Sequence, residues 1–242
     1  MSYFLSDKPL QTEEIIELTG DEARHILLSR RMEVGEIIEI QGPDQKRFNA
    51  EVVLVDRKSL SIQALEEIPT PKESPLSITI FQALIKEQPL DFIIQKSTEL
   101  GVDKLFLFNS ENSIERFKEI EKKLDRWRKI GEEAAKQSGR VRAVSIEYID
   151  DPKDIYKLAS ELDHIFLLEP LTKDRFSTWE LSSQVNKIGI LVGPEGGFTE
   201  EEVVEFSKIK NVIPISMGPR ILRADTAAIT SSAIVQALWG DV

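Results

Sequence analysis

Residues 188–198 read IGILVGPEGGF, an apolar strand that runs directly into a glycine-rich loop. Thr199 and Glu202 follow with the spacing of a capping box, which predicts that a helix begins here and continues to about Lys208. Glycine lets a ligand approach the backbone closely, and ligands of open α/β sheets bind beyond the carboxyl ends of strands. The segment therefore predicts a strand, a ligand-binding loop and a helix. The same glycines would also be compatible with a tight turn that binds no ligand.

A second segment of the same kind follows. Residues 212–216 form an apolar run, residues 217–228 read MGPRILRADTAA, and a helical pattern continues to Trp239. Because loops at the carboxyl ends of parallel strands lie along one edge of the sheet, the glycine loop and this arginine-containing loop are expected to form a single pocket. The apolar residues of the last helix recur at helical spacing, which a protein core or a dimer interface explains.

Further towards the N-terminus, strands and helices alternate. Apolar runs occupy residues 78–83, 105–108 and 165–168, and a helical pattern from Leu90 to Leu100 lies between the first two. This alternation is typical of βαβ units, so the fold class predicted for this part of the chain is α/β with a mostly parallel sheet.

A boundary is visible at residues 68–75, IPTPKESP, where three prolines indicate a short stiff linker. The segments 36–40, 48–55 and 59–65 before it are β-rich and separated by polar turns, with one helix near Asp21–Leu28. We therefore predict two domains, a small β-barrel over residues 1–70 and the α/β domain over residues 71–242.

Composition excludes several classes of protein. The chain of 242 residues has no cysteine, so it can form neither disulfides nor thiolate metal sites, and a reducing compartment is expected. The N-terminus has no basic stretch leading into an apolar run, and no run of about 18 apolar residues occurs. We expect a cytoplasmic protein without a membrane span.

Charge is unevenly distributed. The net charge of −11 argues against a protein that coats nucleic acid, whereas residues 122–142 contain eight basic and three acidic residues, a local net charge of +5. This segment is either a basic surface for RNA or a solvated helix face.

Common catalytic signatures do not fit the sequence. There is neither a phosphate-binding loop of the G-x-x-x-x-G-K type nor a dinucleotide-binding G-x-G-x-x-G after a strand. His25 and His164 are the only histidines, and neither is near a G-x-S-x-G elbow. Two histidines without cysteine also give no zinc-site spacing, so no metal is predicted.

Four blocks of sequence resemble a known family. Residues 191–198 followed by 217–227 are similar to the signature pair of the bacterial 16S rRNA (uracil-N3)-methyltransferases of the SPOUT superfamily. Residues 91–102, DFIIQKSTELGV, are similar to that family's central helix, and residues 126–140 to its basic segment. The resemblance covers nearly the whole chain.

The resemblance implies an N-terminal PUA-like β-barrel for RNA binding and a C-terminal SPOUT domain with a trefoil knot. It implies a homodimer, 16S rRNA of the small ribosomal subunit as the substrate, and S-adenosylmethionine as the cofactor, with no metal. The residues implied to bind the cofactor lie in three loops and are Leu168, Glu169, Pro170, Val192, Gly193, Pro194, Glu195, Gly196, Gly197, Phe198, Met217, Gly218, Ile221, Leu222, Arg223, Thr226 and Ala227.

Catalytic roles are hypotheses from the chemistry of methyl transfer. Arg223, together with Arg220, would stabilise negative charge on the uracil oxygens. Glu195 and Asp225 are candidates for positioning the substrates or accepting a proton. Alternatively, Glu195 stabilises its loop and Asp225 caps the last helix. Cations expected to contact RNA phosphates are Arg24, Arg30, Arg31, Arg126, Lys129 and Arg140.

The sequence departs from the family pattern at three places. Residues 2–4 lack the usual arginine, Asn112 stands where arginine is usual, and Ala224-Asp225 replaces a Thr-Glu pair. Two other functions stay open, namely a SPOUT methyltransferase with another RNA target and an RNA-binding module that has lost turnover.

Overall fold

The computed structural model describes residues 3–30, 32–113, 119–176 and 185–242. It divides into two compact units: unit 1 comprises Met1–Glu73 and Ala135–Arg142, and unit 2 comprises Ser74–Ala134 and Ala143–Val242. Unit 1 thus includes residues from the middle of the chain, which a linear division near residue 70 does not provide for. In the described part of the chain, no helix combines the length and apolar character needed to cross a membrane.

Unit 1 is a curled five-stranded sheet that forms half of a barrel, with one helix. Its elements are β1 (Phe4–Leu5), β2 (Ile15–Leu18), α1 (Gly20–Arg30), β3 (Ile37–Gln41), β4 (Arg47–Val55) and β5 (Leu60–Ile68). The strand order is β1-β3-β4-β5-β2, and all neighbours are antiparallel except β1 and β3. Alternate residues such as Ala50, Val52 and Ile62 point into the core, which is the pattern of a sheet buried on one face.

Unit 2 is a parallel six-stranded sheet with helices. Its elements are β6 (Ser77–Ala83), α2 (Glu87–Glu99), β7 (Lys104–Phe108), α3 (Ile120–Ser138, whose last turn is assigned to unit 1), β8 (Ser145–Ile149), α4 (Asp154–Ala159), β9 (His164–Leu168), β10 (Lys187–Val192), α5 (Glu200–Ser207), β11 (Val212–Ile215) and α6 (Ala224–Trp239). The strand order is β11-β9-β10-β6-β7-β8. Each face of this sheet packs against its own apolar cluster. Because both faces are buried, the strands are almost wholly apolar, as expected for a parallel sheet.

Most elements of unit 2 agree with the sequence prediction, and β8 and α4 are additional. The residues of β8, Ser145–Ile149, alternate between exposed and buried positions at the edge of the sheet, so they lack a continuous apolar run. Helix α4 has only six residues, too few for a clear helical period. In unit 1, β1 and β2 were not predicted either, because they have two and four residues.

Candidate active site

A cavity of about 360 Å³ lies in unit 2 at the carboxyl ends of β9, β10 and β11. Three loops enclose it: residues 168–171 at the end of β9, residues 192–198 at the end of β10, and residues 217–223 between β11 and α6, together with Ala224 and Ala227 in the first turn of α6. Parallel strands β9, β10 and β11 are neighbours in the sheet, which is why loops that are far apart in the sequence meet here. The glycine loop and the arginine-containing loop therefore share one cavity.

The glycine loop has a defined backbone conformation. Gly197 has φ +73° and its N–H donates to the Pro194 carbonyl at 3.0 Å. A Cβ built on Gly193 would lie 3.3 Å from the Phe198 ring, so a side chain at position 193 would crowd the loop. The predicted capping box is present: Glu202 N donates to Thr199 Oγ1 at 3.2 Å, and Thr199 N donates to Glu202 Oε2 at 3.0 Å. Helix α5 thus begins where the sequence predicts.

Glu195 contacts the start of helix α2. Its Oε1 accepts a hydrogen bond from the backbone N–H of Lys86, the N-cap residue of α2, at 3.3 Å. A carboxylate at a helix N-terminus satisfies an otherwise unpaired amide and interacts favourably with the helix dipole. This contact supports a loop-stabilising role for Glu195.

The loop after β11 is fixed at its start and exposed at its middle. Ser216 N donates to the Asp174 carbonyl at 2.7 Å, and Gly218, with φ +111°, donates its N–H to Ser216 Oγ at 3.2 Å. Arg220 and Ile221 are exposed at the cavity, and Ile221 has 86% of its surface accessible. Arg220 and Ile221, like Leu171 on the loop after β9, are thus exposed side chains that line the cavity.

All residues predicted to bind the cofactor line this cavity except Arg223 and Thr226. Arg223 has an extended backbone, φ −67° and ψ 154°, just before α6. Because side chains alternate along extended chain, Leu222 and Ala224 face the cavity while Arg223 lines a neighbouring cleft of about 530 Å³ on α2. Thr226 lies on an exposed position of α6.

Asp225 lies inside the first turn of α6 and is not the N-cap, which corrects the capping hypothesis. The N-cap is Arg223, which has no side-chain capping bond. Asp225 Oδ1 accepts from the backbone N–H of Thr226 at 2.8 Å and lies 3.9 Å from Arg223 Nε. Asp225 therefore still places a negative charge at the helix N-terminus.

The predicted RNA-contacting cations have different surroundings. Arg24 on α1 and Lys129 on α3 are exposed. Arg126 forms ion pairs with Glu87 at 2.8 Å and Asp91 at 2.5 Å, and the hydrogen bond that it donates to Asp91 raises the pKa of the Arg126 guanidinium. The side chain of Arg30 and the whole of Arg31 lie outside the described residues.

Arg140 is a correction to the prediction of phosphate contacts. It is 8% exposed, and its Nε and a terminal nitrogen donate to Glu73 Oε2 at 2.9 and 2.7 Å within unit 1. A buried guanidinium that donates two hydrogen bonds to one carboxylate oxygen is not presented at the surface to a phosphate. One of the positive charges counted in the segment 122–142 is thus paired inside the protein, which a count of basic residues does not reveal.

Three cavity residues are absent from the predicted cofactor set: Leu171, Arg220 and Ala224. Arg220 was assigned a catalytic role only. Leu171 directly follows the predicted residues 168–170, and Ala224 is one helical turn from Ala227, so extending each predicted segment would have found them. Among the described residues, no group of three or more His, Asp or Glu side chains is placed to hold a metal ion.

Comparison with known proteins shows which family the chain belongs to. Residues 72–236 match the family model of the RNA methyltransferase domain. The ribosomal RNA small subunit methyltransferase E of Buchnera aphidicola is 32% identical over 92% of this chain and 88% of its own length. The enzyme of that name from Bacillus subtilis is 29% identical over 94% of this chain and 92% of its own length.

Solved structures agree with this comparison. A ribosomal RNA small subunit methyltransferase E from Neisseria gonorrhoeae, bound to S-adenosylmethionine, superposes with a TM-score of 0.89 at 29% identity, covering 100% of this chain and 99% of its own. A Legionella pneumophila methyltransferase with bound S-adenosylmethionine gives a TM-score of 0.87 at 28% identity, over 99% and 98% of the two chains. The fold is that of an RNA methyltransferase domain.

The chain belongs to the ribosomal RNA small subunit methyltransferase E family. The predicted fold class is confirmed, since the SPOUT-like parallel sheet of unit 2 and the curled sheet of unit 1 match the structures of this family.

Proposed function

We propose that this chain transfers a methyl group from S-adenosylmethionine to N3 of a specific uridine in 16S rRNA of the small ribosomal subunit. The observation that supports this most directly is the cavity at the carboxyl ends of β9, β10 and β11, enclosed by the two signature loops. Two relatives that superpose along nearly their whole length were solved with S-adenosylmethionine bound.

The residues of the cavity fit this cofactor. The volume of the cavity, about 360 Å³, is in the range of small-molecule pockets, which are about 300–1,000 Å³. Leu168, Val192, Met217 and Leu222 provide apolar walls, and a Cβ on Gly193 would obstruct the loop beside them. The remaining lining includes four glycines, whose backbone a ligand can approach closely, and the polar residues Glu169, Glu195 and Arg220, which suits a ligand with both apolar and hydrogen-bonding groups. When bound, the cofactor supplies an activated methyl group on a sulfonium.

The protein must align the base, exclude water and favour loss of the N3 proton. Arg220 lines the cavity, and Arg223 lies three residues further along the same loop with 77% of its side chain exposed. Preorganised cations near the uracil oxygens stabilise the negative charge that develops there. We assign this role to the two arginines, and we assign Glu195 to holding the glycine loop against α2.

Unit 1 is proposed to bind RNA as a PUA-like module, consistent with its curled sheet. Exposed Arg24 and Lys129 and partly exposed Arg126 are proposed to contact phosphates. The proposal includes the homodimer and the trefoil knot implied by the sequence resemblance, and a cytoplasmic location, where small ribosomal subunits are made.

Thermal unfolding with S-adenosylmethionine, with ATP and NAD as controls, tests the cofactor assignment. Ligand at about 100 times its Kd stabilises a protein by about 2.7 kcal/mol. For a chain of this size Tm rises by about 2–4 °C per kcal/mol, so a selective shift of several degrees is expected. Absence of a shift at millimolar cofactor would contradict the assignment and favour an RNA-binding module without turnover.

A pair of matched variants localises the shift. Ala227 lines the cavity, whereas Ala237 on the same helix is exposed and does not. Ala227→Leu should abolish the Tm shift by filling the cavity, and Ala237→Leu should retain it. Mass spectrometry of methylated nucleosides from small-subunit RNA then identifies the modified atom, and a product other than N3-methyluridine would overturn the uridine assignment.

A further inference from the structure

The glycine loop is held from outside by the segment that follows β7. Gly197 turns its N–H inward to the Pro194 carbonyl at 3.0 Å, and its own carbonyl oxygen accepts a hydrogen bond from Asn112 Nδ2 at 3.1 Å. Gly197 has φ +73°, so the orientation of this carbonyl is a consequence of the left-handed backbone. The Asn112 side chain therefore contacts the residue at which the loop reverses direction.

Asn112 is itself fixed in a tight turn. Ser113 N donates to the Ser110 carbonyl at 3.1 Å, and Ser110 N donates to Ser113 Oγ at 3.1 Å. The N–H of Glu111, also in this turn, donates to Glu202 Oε1 at 2.9 Å. Because the other oxygen of Glu202 belongs to the capping box of α5, the turn and the start of that helix share one carboxylate. Asn112 is thus presented to the loop by a braced backbone.

Close packing accompanies the hydrogen bond. A Cβ built on Gly196 would lie 3.2 Å from the Asn112 Cβ, which is a tight contact. Gly196 and Gly197 both line the proposed cofactor cavity, so Asn112 packs against the outer surface of the same two residues. On the other side, Glu195 accepts from Lys86 N, so the loop is anchored on two sides.

We propose that Asn112 is a positioning residue that fixes the glycine loop in the conformation that binds the cofactor. Asn112 does not line the cavity, so it acts through Gly197 and not by touching the ligand. Without its amide donor, the loop would sample other conformations, and each binding event would have to restore order. The inference rests on the proposed cofactor site and adds to it a residue that controls affinity from outside.

Asn112→Asp is the most informative variant because it keeps the size of the side chain and replaces the N–H donor with oxygen. That oxygen would face the Gly197 carbonyl without a proton between them. A hydrogen bond contributes about 1 kcal/mol net, which is a factor of about five in an equilibrium constant. We expect Asn112→Asp and Asn112→Ala to raise the Kd for S-adenosylmethionine about fivefold or more in calorimetry.

Asn211 supplies a matched control. Its Nδ2 also donates to backbone carbonyls, those of Ala159 and Leu162, both at 2.8 Å. However, Asn211 lies at the amino end of β11, whereas the cavity lies at the carboxyl end of that strand. Asn211→Ala and Asn211→Asp should lower Tm and leave the Kd unchanged. If they raise the Kd as much as the Asn112 variants do, the effect is general destabilisation and the positioning role is wrong.

Hydrogen exchange of the ligand-free chain gives a readout that does not depend on the cofactor. Amides of residues 195–198 should exchange about fivefold faster in Asn112→Asp than in the unmodified chain, and at the same rate in Asn211→Asp. Unchanged exchange and unchanged Kd in Asn112→Asp would overturn the proposal. An unmodified chain that fails to bind S-adenosylmethionine would instead overturn the cofactor assignment, whereas the exchange comparison would still test the loop contact.

Discussion

Basic residues serve different purposes in unit 1 and in the loop between β11 and α6. In unit 1, the side chains of Lys136 and Arg140 are 5% and 9% exposed and are paired with carboxylates at 2.7 Å. In the loop, Arg220 is exposed and Arg223 has 77% of its side chain accessible. A buried cation requires a fixed partner because desolvation is costly, whereas an exposed cation remains available to a ligand. Burial, and not local charge density, separates structural cations from candidate functional ones.

The largest effect on stability is expected from Arg140→Ala. It leaves the largely buried Glu73 carboxylate without its cationic partner, and removing one member of a buried ion pair costs about 3–5 kcal/mol. Urea unfolding measures the loss. The control is Arg24→Ala, an exposed arginine of the same unit, which should change stability by no more than about 0.5 kcal/mol.

A double variant separates the ion pair from packing. Adding Glu73→Gln to Arg140→Met should recover part of the stability lost in Arg140→Met alone, because no unpaired charge then remains buried. Strictly additive losses would show that the pair is not coupled, and the contrast between buried and exposed arginines would lose its basis.

Arg223→Ala is expected to show the opposite profile. Stability should remain within about 0.5 kcal/mol, because the side chain is mostly exposed. The rate of methylation should fall about 100-fold, the scale for loss of one group that stabilises developing negative charge. Single-turnover methylation of small ribosomal subunits measures this, together with Kd for the cofactor. A full rate with intact cofactor binding would disprove the electrostatic role.

Asp163 extends the comparison to an exposed carboxylate held by backbone amides. Its Oδ2 accepts from the N–H groups of Asn186 and Lys187, both at 2.9 Å, and the Asn186 hydrogen bond is the main cause of a lowered Asp163 pKa. A lowered pKa in the folded state means that the stabilisation is present above the pKa of the unfolded chain. It is lost as pH falls through the lower pKa of the folded chain.

Asp163→Asn should therefore reduce stability by about 0.5–1 kcal/mol near neutral pH, because hydrogen bonds to a charged acceptor are stronger than those to a neutral one. The difference from the unmodified chain should vanish as pH falls below the lowered pKa of Asp163. Urea unfolding at several pH values measures it. Asp241→Asn at the exposed C-terminal end is the control, and a deficit that persists in acid would contradict the charge-based cause.

The smallest effects are expected for single exposed cations. Lys129→Gln and Arg24→Gln should each weaken RNA binding a few-fold and lower the slope of log affinity against log salt by about 0.7–0.9 if each neutralises one phosphate. Filter binding across a salt series measures the slope. An unchanged slope for either variant would remove that residue from the proposed RNA surface.

Local sequence signals predicted the strand β10, the glycine loop and the start of α5, because an apolar run, glycines and a capping box lie within a few residues of each other. Long-range pairing was not predictable in the same way. Arg140 and Glu73 are 67 residues apart, and neither residue marks the other in the sequence. The family resemblance implies that Arg223 binds the cofactor, whereas the sequence does not show that its side chain lines the neighbouring cleft, because the direction of one residue in extended backbone depends on the tertiary fold.

Strand β10 lies between β6 and β9, and the cavity requires the loops at residues 168–171, 192–198 and 217–223 together with the first turn of α6. During synthesis, β6 and β7 can pair early, but β9 has no neighbour linking it to them until β10 has emerged. Such non-local strand pairing makes folding slow relative to helical bundles of similar size. The ligand-binding cavity is therefore completed only when α6 has been made. A nascent or C-terminally shortened chain would have a nearly complete sheet but no site. Ligand binding thus reports on completed folding.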